Sequence, residues 1–284
     1  MLNFLLEPFG QIYVQKALVE MSLIAVLCGV VSSYVVLRGV AFLANALSHG
    51  IFPGIVIAFL LGSNLFWGGL VAGLVIVIGV TLTERNQQVS ENSAIGVLYI
   101  GSFALGIVLI TSIKHSNTGG LEGFLFGQLF GVGWADVINT LLVSFLVLGI
   151  IFLVRKELLL ASFDAQMGRA MGLPVGWINL GFLILVTLTV VTGLPAVGNI
   201  LMIALVITPG ATARLLTARL RSMLLLSTLS VLIASLGGVY MSYYLGLTPG
   251  ACVVVVLTGL FLAALLYSFS RSRTFAATNQ NLIA

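Results

Sequence analysis

Residues 41–62 read AFLANALSHGIFPGIVIAFLLG, an apolar stretch interrupted by Asn45, Ser48, His49 and Pro53. At about 20 residues it is long enough to cross a bilayer as a helix. On a helix Asn45 and His49 lie one turn apart on one face. Polar and ionisable side chains at that depth are expensive, so they tend to face a cavity, a partner or a substrate path. Pro53 lies close by.

The rest of the 284-residue chain extends this reading. Sixty per cent of it is hydrophobic and only 7% is charged, against roughly 25% charged residues in a soluble domain. Such a chain cannot cover itself in water, and no sizeable extramembrane domain fits inside it. Apolar segments lie at about 17–37, 41–62, 65–83, 93–113, 135–154, 178–193, 196–213, 222–245 and 249–269. The fold expected is an all-α, polytopic transmembrane helical bundle of about nine spans forming one domain over residues 1–284. The gap at Thr192-Gly193-Leu194-Pro195 is so short that it reads as a loop or as a break within one structure.

Basic residues in short loops set the orientation. With the N-terminus outside and the C-terminus inside, Arg38, Arg85, Arg155, Lys156, Arg169, Arg214, Arg219, Arg221, Arg271 and Arg273 fall inside, and only Lys16 and Lys114 fall outside. The net charge of +4 is therefore a topology signal, and no basic soluble face exists for nucleic acid. Residues 1–15 lack the basic start and cleavage pattern of a secretory signal and read as an interfacial, amphipathic lead-in. Residues 270–284 read as a cytoplasmic tail. Cys28 and Cys252 both sit in spans, which suggests packing and no disulfide framework.

Two connections stand out. On the outer side, 114–134 carries LFGQLFGVG, too short to cross a membrane and suited to a re-entrant or interfacial element. On the inner side, 155–177 reads RKELLLASFDAQMGRAMGLPVGW. It predicts a short helix from Ser162 or Asp164 to Met171, stopped by Gly172 and Pro174. It serves either as a plain connection or as a coupling helix for a cytosolic partner. The chain has no phosphate-binding loop, because its three lysines follow Gln15, Ile113 and Arg155 and not the glycine such a loop requires. Acidic residues are too few to line a path: Glu7, Glu20, Glu122 and Asp136 are assigned to the outer side, and Glu84, Glu91, Glu157 and Asp164 to the inner side.

Five ordered segments resemble the membrane permeases of ATP-binding-cassette importers for transition metals such as manganese, zinc and iron. They are VVLRGVAFLANALSHGIFPGIVIAFLLG, ENSAIGVLYIGSFALGIVLI, FLFGQLFGV, FDAQMGRAMGLPV and VGNILMIALVITPGATARLL. The resemblance implies a metal-coordinating pair at Asn45 and His49, and coupling through Asp164, Arg169, Met171, Gly172 and Pro174. It further implies a homodimeric pore, a cytosolic ATPase subunit and an extracytoplasmic metal-binding protein. No permanent cofactor follows from it; the divalent metal is cargo and ATP belongs to the partner. The expected location is a bacterial-type cell membrane, crossed many times.

This chain departs from the family pattern where Asn45 replaces the usual Asp, which removes a charge that would compensate a dication in low dielectric. SYYLGLTPGA also lacks an Asp that many relatives carry near Gly246. Without the resemblance, His49 reads as a neutral histidine satisfied by a hydroxyl or carbonyl, and Asn45 as an interhelical hydrogen bond of ~0.6 kcal/mol. Asn199 and Thr208 suit either cavity lining or plain packing. His115, beside Lys114, reads as a solvated loop residue. A permease for larger chelates such as siderophores or cobalamin is the nearer rival. An intramembrane hydrolase is remote, since Ser48 and His49 are adjacent and diverge by roughly 100° on a helix.

Overall fold

In lipid every backbone N–H and C=O must be satisfied within the segment, so apolar stretches of this length become helices. The computed structural model describes residues 11–83, 90–112 and 127–280, with the side chains of Glu91 and of residues 271–280 left aside. In chain order the helices are α1 (Ile12–Arg38), α2 (Ala41–Gly50), α3 (Phe52–Leu60), α4 (Leu65–Thr83), α5 (Glu91–Thr111), α6 (Trp134–Leu153), α7 (Arg155–Phe163), α8 (Ala165–Ala170), α9 (Val175–Leu216), α10 (Leu220–Leu245) and α11 (Pro249–Gln280). No strand occurs among the described residues. Among the described residues eight stretches are long and apolar enough to cross a membrane, with α2 and α3 together forming one of them.

The 42 residues of α9 would run about 63 Å as one straight helix, twice the hydrocarbon thickness. Gly198 resolves this with φ 78° and ψ 168°, a region open essentially to glycine alone. The chain turns back there. Asn179 accepts a hydrogen bond from Arg38 at one end of α1, while Thr192 and Pro195 share a cavity with Glu20 about 27 Å away along that helix. Gly210 then returns to Ser32, whose hydroxyl accepts its N–H at 2.8 Å. A Cβ on Gly193 would likewise fall 2.7 Å from Met202 Sδ, although nine residues of continuous helix would separate the two positions by about 13 Å. Residues 175–197 and 199–216 are thus two antiparallel passes. They restore the expected count of nine, with the break a few residues later than the sequence suggested.

The buried centre is α1 packed on α9. Val14, Ala17, Met21, Ile24, Ala25, Cys28 and Val31 of α1 are fully enclosed. Cys28 and Cys252 are free and buried, in keeping with a packing role. Outer helices present apolar faces outward, as in Phe145, which is 81% exposed, because lipid is their solvent. Glycines permit close crossings: a Cβ on Gly54 or Gly68 would overlap the other helix's backbone carbonyl, which brings α3 and α4 into direct backbone contact.

The structure adds detail to several expectations. Ile12 to Gln15 belong to α1, so the expected lead-in is partly helix, and residues 1–10 lie outside the described set. The helix of the last span continues to Gln280, through most of the expected tail. In the connection expected to be re-entrant or interfacial, residues 113–126, with Lys114, His115 and Glu122, lie outside the described residues, as do Glu84 and Arg85. The described part holds a 3-10 turn, Leu129–Gly131, and the Gln128 N–H reaches the Pro195 carbonyl at 3.4 Å. Glu20, grouped with the outer acids, is in fact fully buried within α1.

Candidate functional site

Pro53 has no N–H to give the His49 carbonyl, and its ring crowds that carbonyl, so α2 ends at Gly50 and α3 starts afresh at Phe52. The Gly50 carbonyl, freed by the same break, accepts the Ser102 hydroxyl of α5 at 2.7 Å. His49 is the ninth of the twenty residues in this span, which sets it near mid-membrane. Its ring lies between α5 and the bent pair of α9. Phe103 meets it edge-on with centroids 5.6 Å apart, and Tyr99 lies at 6.3 Å.

The polar neighbour of the imidazole is Asn199, whose carboxamide lies 3.0 Å from Nδ1 across 150 positions of sequence. Asn199 is the first residue after the Gly198 bend, so the bend brings it to the imidazole. Its side chain is buried, and its second polar atom has no partner. The carboxamide can face Nδ1 with its NH2 or with its carbonyl. With the carbonyl, Nδ1–H donates and the lone pair is left on Nε2, the arrangement metal-ligating histidines favour. Sequence reasoning weighed Asn199 only as cavity lining or packing. The available signal was a polar residue immediately after a glycine in an apolar run.

Asn45 is half-buried one turn before His49. Its backbone carbonyl accepts the Ser48 hydroxyl at 2.7 Å, so Ser48 turns away from the imidazole and no nucleophile–base pair forms. Among the described residues no three His, Cys, Asp or Glu side chains come together. Around His49 the described residues of one chain therefore offer one imidazole and amide oxygens, fewer ligands than a transition metal takes up.

The residues expected to couple to a partner form a second constellation. Asp164 caps α8, its Oδ1 accepting the Met167 N–H at 2.8 Å. Gly172, at φ 81°, closes that helix: its N–H reaches the Arg169 carbonyl and Leu173 N–H reaches the Gly168 carbonyl, a Schellman arrangement. Pro174 starts α9. Arg169 and Met171 are exposed, along with Phe163, Met167 and Trp177. Arg38 ties this segment to the core, donating from Nε to Ser162 Oγ and from Nη2 to Asn179 Oδ1, both at 2.9 Å. Its guanidinium also stacks on Phe182 at 4.7 Å. Beside it opens a cavity of about 280 Å³ bounded by Val40, Leu43, Thr81 and Asn179.

Known proteins share this architecture. The chain is 39% identical to the manganese transport system membrane protein MntC of Halalkalibacterium halodurans, over 90% of this chain and 87% of that one. It is 35% identical to a probable iron transport system membrane protein of Haemophilus influenzae, over 96% and 100%. Among solved structures it is similar to PsaBC from Streptococcus pneumoniae in complex with Fab, with a TM-score of 0.84, 32% identity and coverage of 93% of this chain and 95% of that chain. Residues 11–268 match the family described as the ABC 3 transport family, and the chain belongs to it.

Proposed function

We propose that this chain, a multi-pass permease subunit in the plasma membrane, conducts a divalent transition metal ion inward. The metal is manganese or iron by the names of its relatives, with zinc the third candidate. The observation that carries the reading is His49, held at mid-span on a proline-broken helix, with Asn199 on Nδ1 and Asn45 one turn away. Imidazole is a good ligand for these ions, and amide oxygens are weaker, harder ones. A second copy across a two-fold axis would double the histidine count and complete a coordination sphere, which favours a homodimeric pore.

The orientation that fits is N-terminus outside. Arg155, Lys156, Arg219 and Arg221 border one groove at the Arg38 end of the bundle, and positive charge collects on the cytoplasmic side. There α8, with exposed Met167 and Arg169 and with Met171 just after it, suits the groove of a cytosolic ATPase, whose hydrolysis of ATP supplies the energy. An extracytoplasmic protein delivers the metal at the opposite end. The ion then pauses at His49 and leaves past Arg38.

Uptake of radiolabelled manganese, iron and zinc by cells expressing the chain with its ATPase and binding protein tests this reading. Replacing His49→Ala at matched abundance should abolish uptake of one metal; undiminished uptake would return His49 to a structural role. A siderophore or cobalamin in excess should not compete, and competition would favour the chelate reading. Changing Arg169 or Gly172 should lose the co-purifying ATPase or its coupling while metal binding persists. Normal co-purification with full transport would remove the coupling assignment.

A further inference from the structure

Glu20 has no exposed surface, and it sits about 12 Å into an apolar helix. Its Oε1 accepts the Thr140 hydroxyl at 2.7 Å, and its Oε2 is buried without a partner. Lys16, one turn before it on α1, turns instead to the Trp134 ring at 5.8 Å. A carboxylate stranded in this way is costly unless something cationic or hydrogen-bonding compensates it.

Glu20 lines a cavity of about 300 Å³ at the end of the bundle opposite Arg38. Asp136, Asn139 and Thr140 share one face of α6 there, and Asn64 and Gln128 complete the polar wall. Asp136 Oδ2 accepts the Gly133 N–H at 2.9 Å, which leaves its other oxygen available. Asp136, Asn139, Asn64 and Gln128 are exposed, so the cavity opens outward and deepens to Glu20. Every side-chain donor atom in this set that can meet a metal is oxygen.

We propose that this cavity binds a hard divalent cation, of the manganese or calcium class, with Glu20 as its anchoring carboxylate. Two carboxylates, amide oxygens and a hydroxyl match the preference of such ions, whereas the imidazole of His49 suits softer metals as well. Pro195 lines the cavity, and four residues later Asn199 holds His49, so an ion in the cavity rests on the bend that positions the second site. The inference does not depend on a transport role for His49.

Manganese binding to the full-length chain in lipid nanodiscs, read by loss of the free-ion paramagnetic resonance signal, tests it. The His49→Ala protein should still bind one manganese per chain, displaced by calcium, and adding Glu20→Gln should remove that binding. Should Glu20→Gln not fold, Asp136→Asn, a change at an exposed position, should weaken the His49-independent binding at least about tenfold. Absence of manganese binding in His49→Ala, or binding unchanged by either carboxylate substitution, overturns the proposal.

Discussion

His49 is one of two histidines in the chain, and what it can do depends on which ring nitrogen carries the proton. With its carbonyl turned to Nδ1, Asn199 fixes the Nδ1–H form and frees Nε2 for a metal, whereas an NH2 turned to Nδ1 leaves the proton on Nε2. Asn199→Ala should therefore leave the fold intact and weaken metal affinity about 10- to 100-fold, measured as a rise in the half-saturating metal concentration for uptake. Unchanged affinity would make the contact incidental. Asn45→Asp adds a negative charge one turn from the ring, and opposite charges attract strongly where the dielectric is low. It should tighten manganese binding and alter the ranking of manganese, iron and zinc in competition assays. An unchanged ranking would make Asn45 a packing residue.

At the scale of elements, both breaks near the site have a covalent cause. Pro53 removes a donor, and Gly198 adopts a conformation closed to side chains bearing a Cβ. Gly198→Ala should cost about 1–3 kcal/mol and lower the thermal unfolding temperature of the purified protein, with His49 function impaired through displacement of Asn199. Native thermal stability in that variant would mean that the bend tolerates a Cβ and that the turn is not set by glycine. The bend is further braced by residues 127 and 128, since a Cβ on Gly127 would strike the Val197 carbonyl carbon.

At the scale of the molecule, Arg38 lies between the proposed coupling segment and the His49 span. Its guanidinium bridges α1, the α7 segment and the start of α9, so it joins the segment proposed for coupling to the helix leading directly into the His49 span. Arg38→Ala should keep metal binding and ATPase co-purification but lose metal-stimulated ATP hydrolysis several-fold. Wild-type stimulation in that variant would show that force passes by another route. Arg38→Lys should rescue poorly, because an ammonium cannot reproduce the two-pronged donation and the stacking on Phe182.

The sequence by itself determined the class, the number of passes, the short helix stopped before Gly172 and the polar interruption at Asn45 and His49. These are local properties: lipid obliges each segment to satisfy its own backbone, so apolar length and breakers fix helices without reference to neighbours. The pairings that give the site its chemistry were not local. Asn199 lies 150 positions from His49, and Thr140 lies 120 from Glu20. The sequence left 192–195 open as a loop or a break, because the turn at Gly198 contains no polar loop to mark it. Only the packing of α9 against α1 decided that the chain doubles back there, and with it which polar groups meet. Between helices in lipid that choice rests on close fit and a few hydrogen bonds, neither of which leaves a periodic trace in the chain.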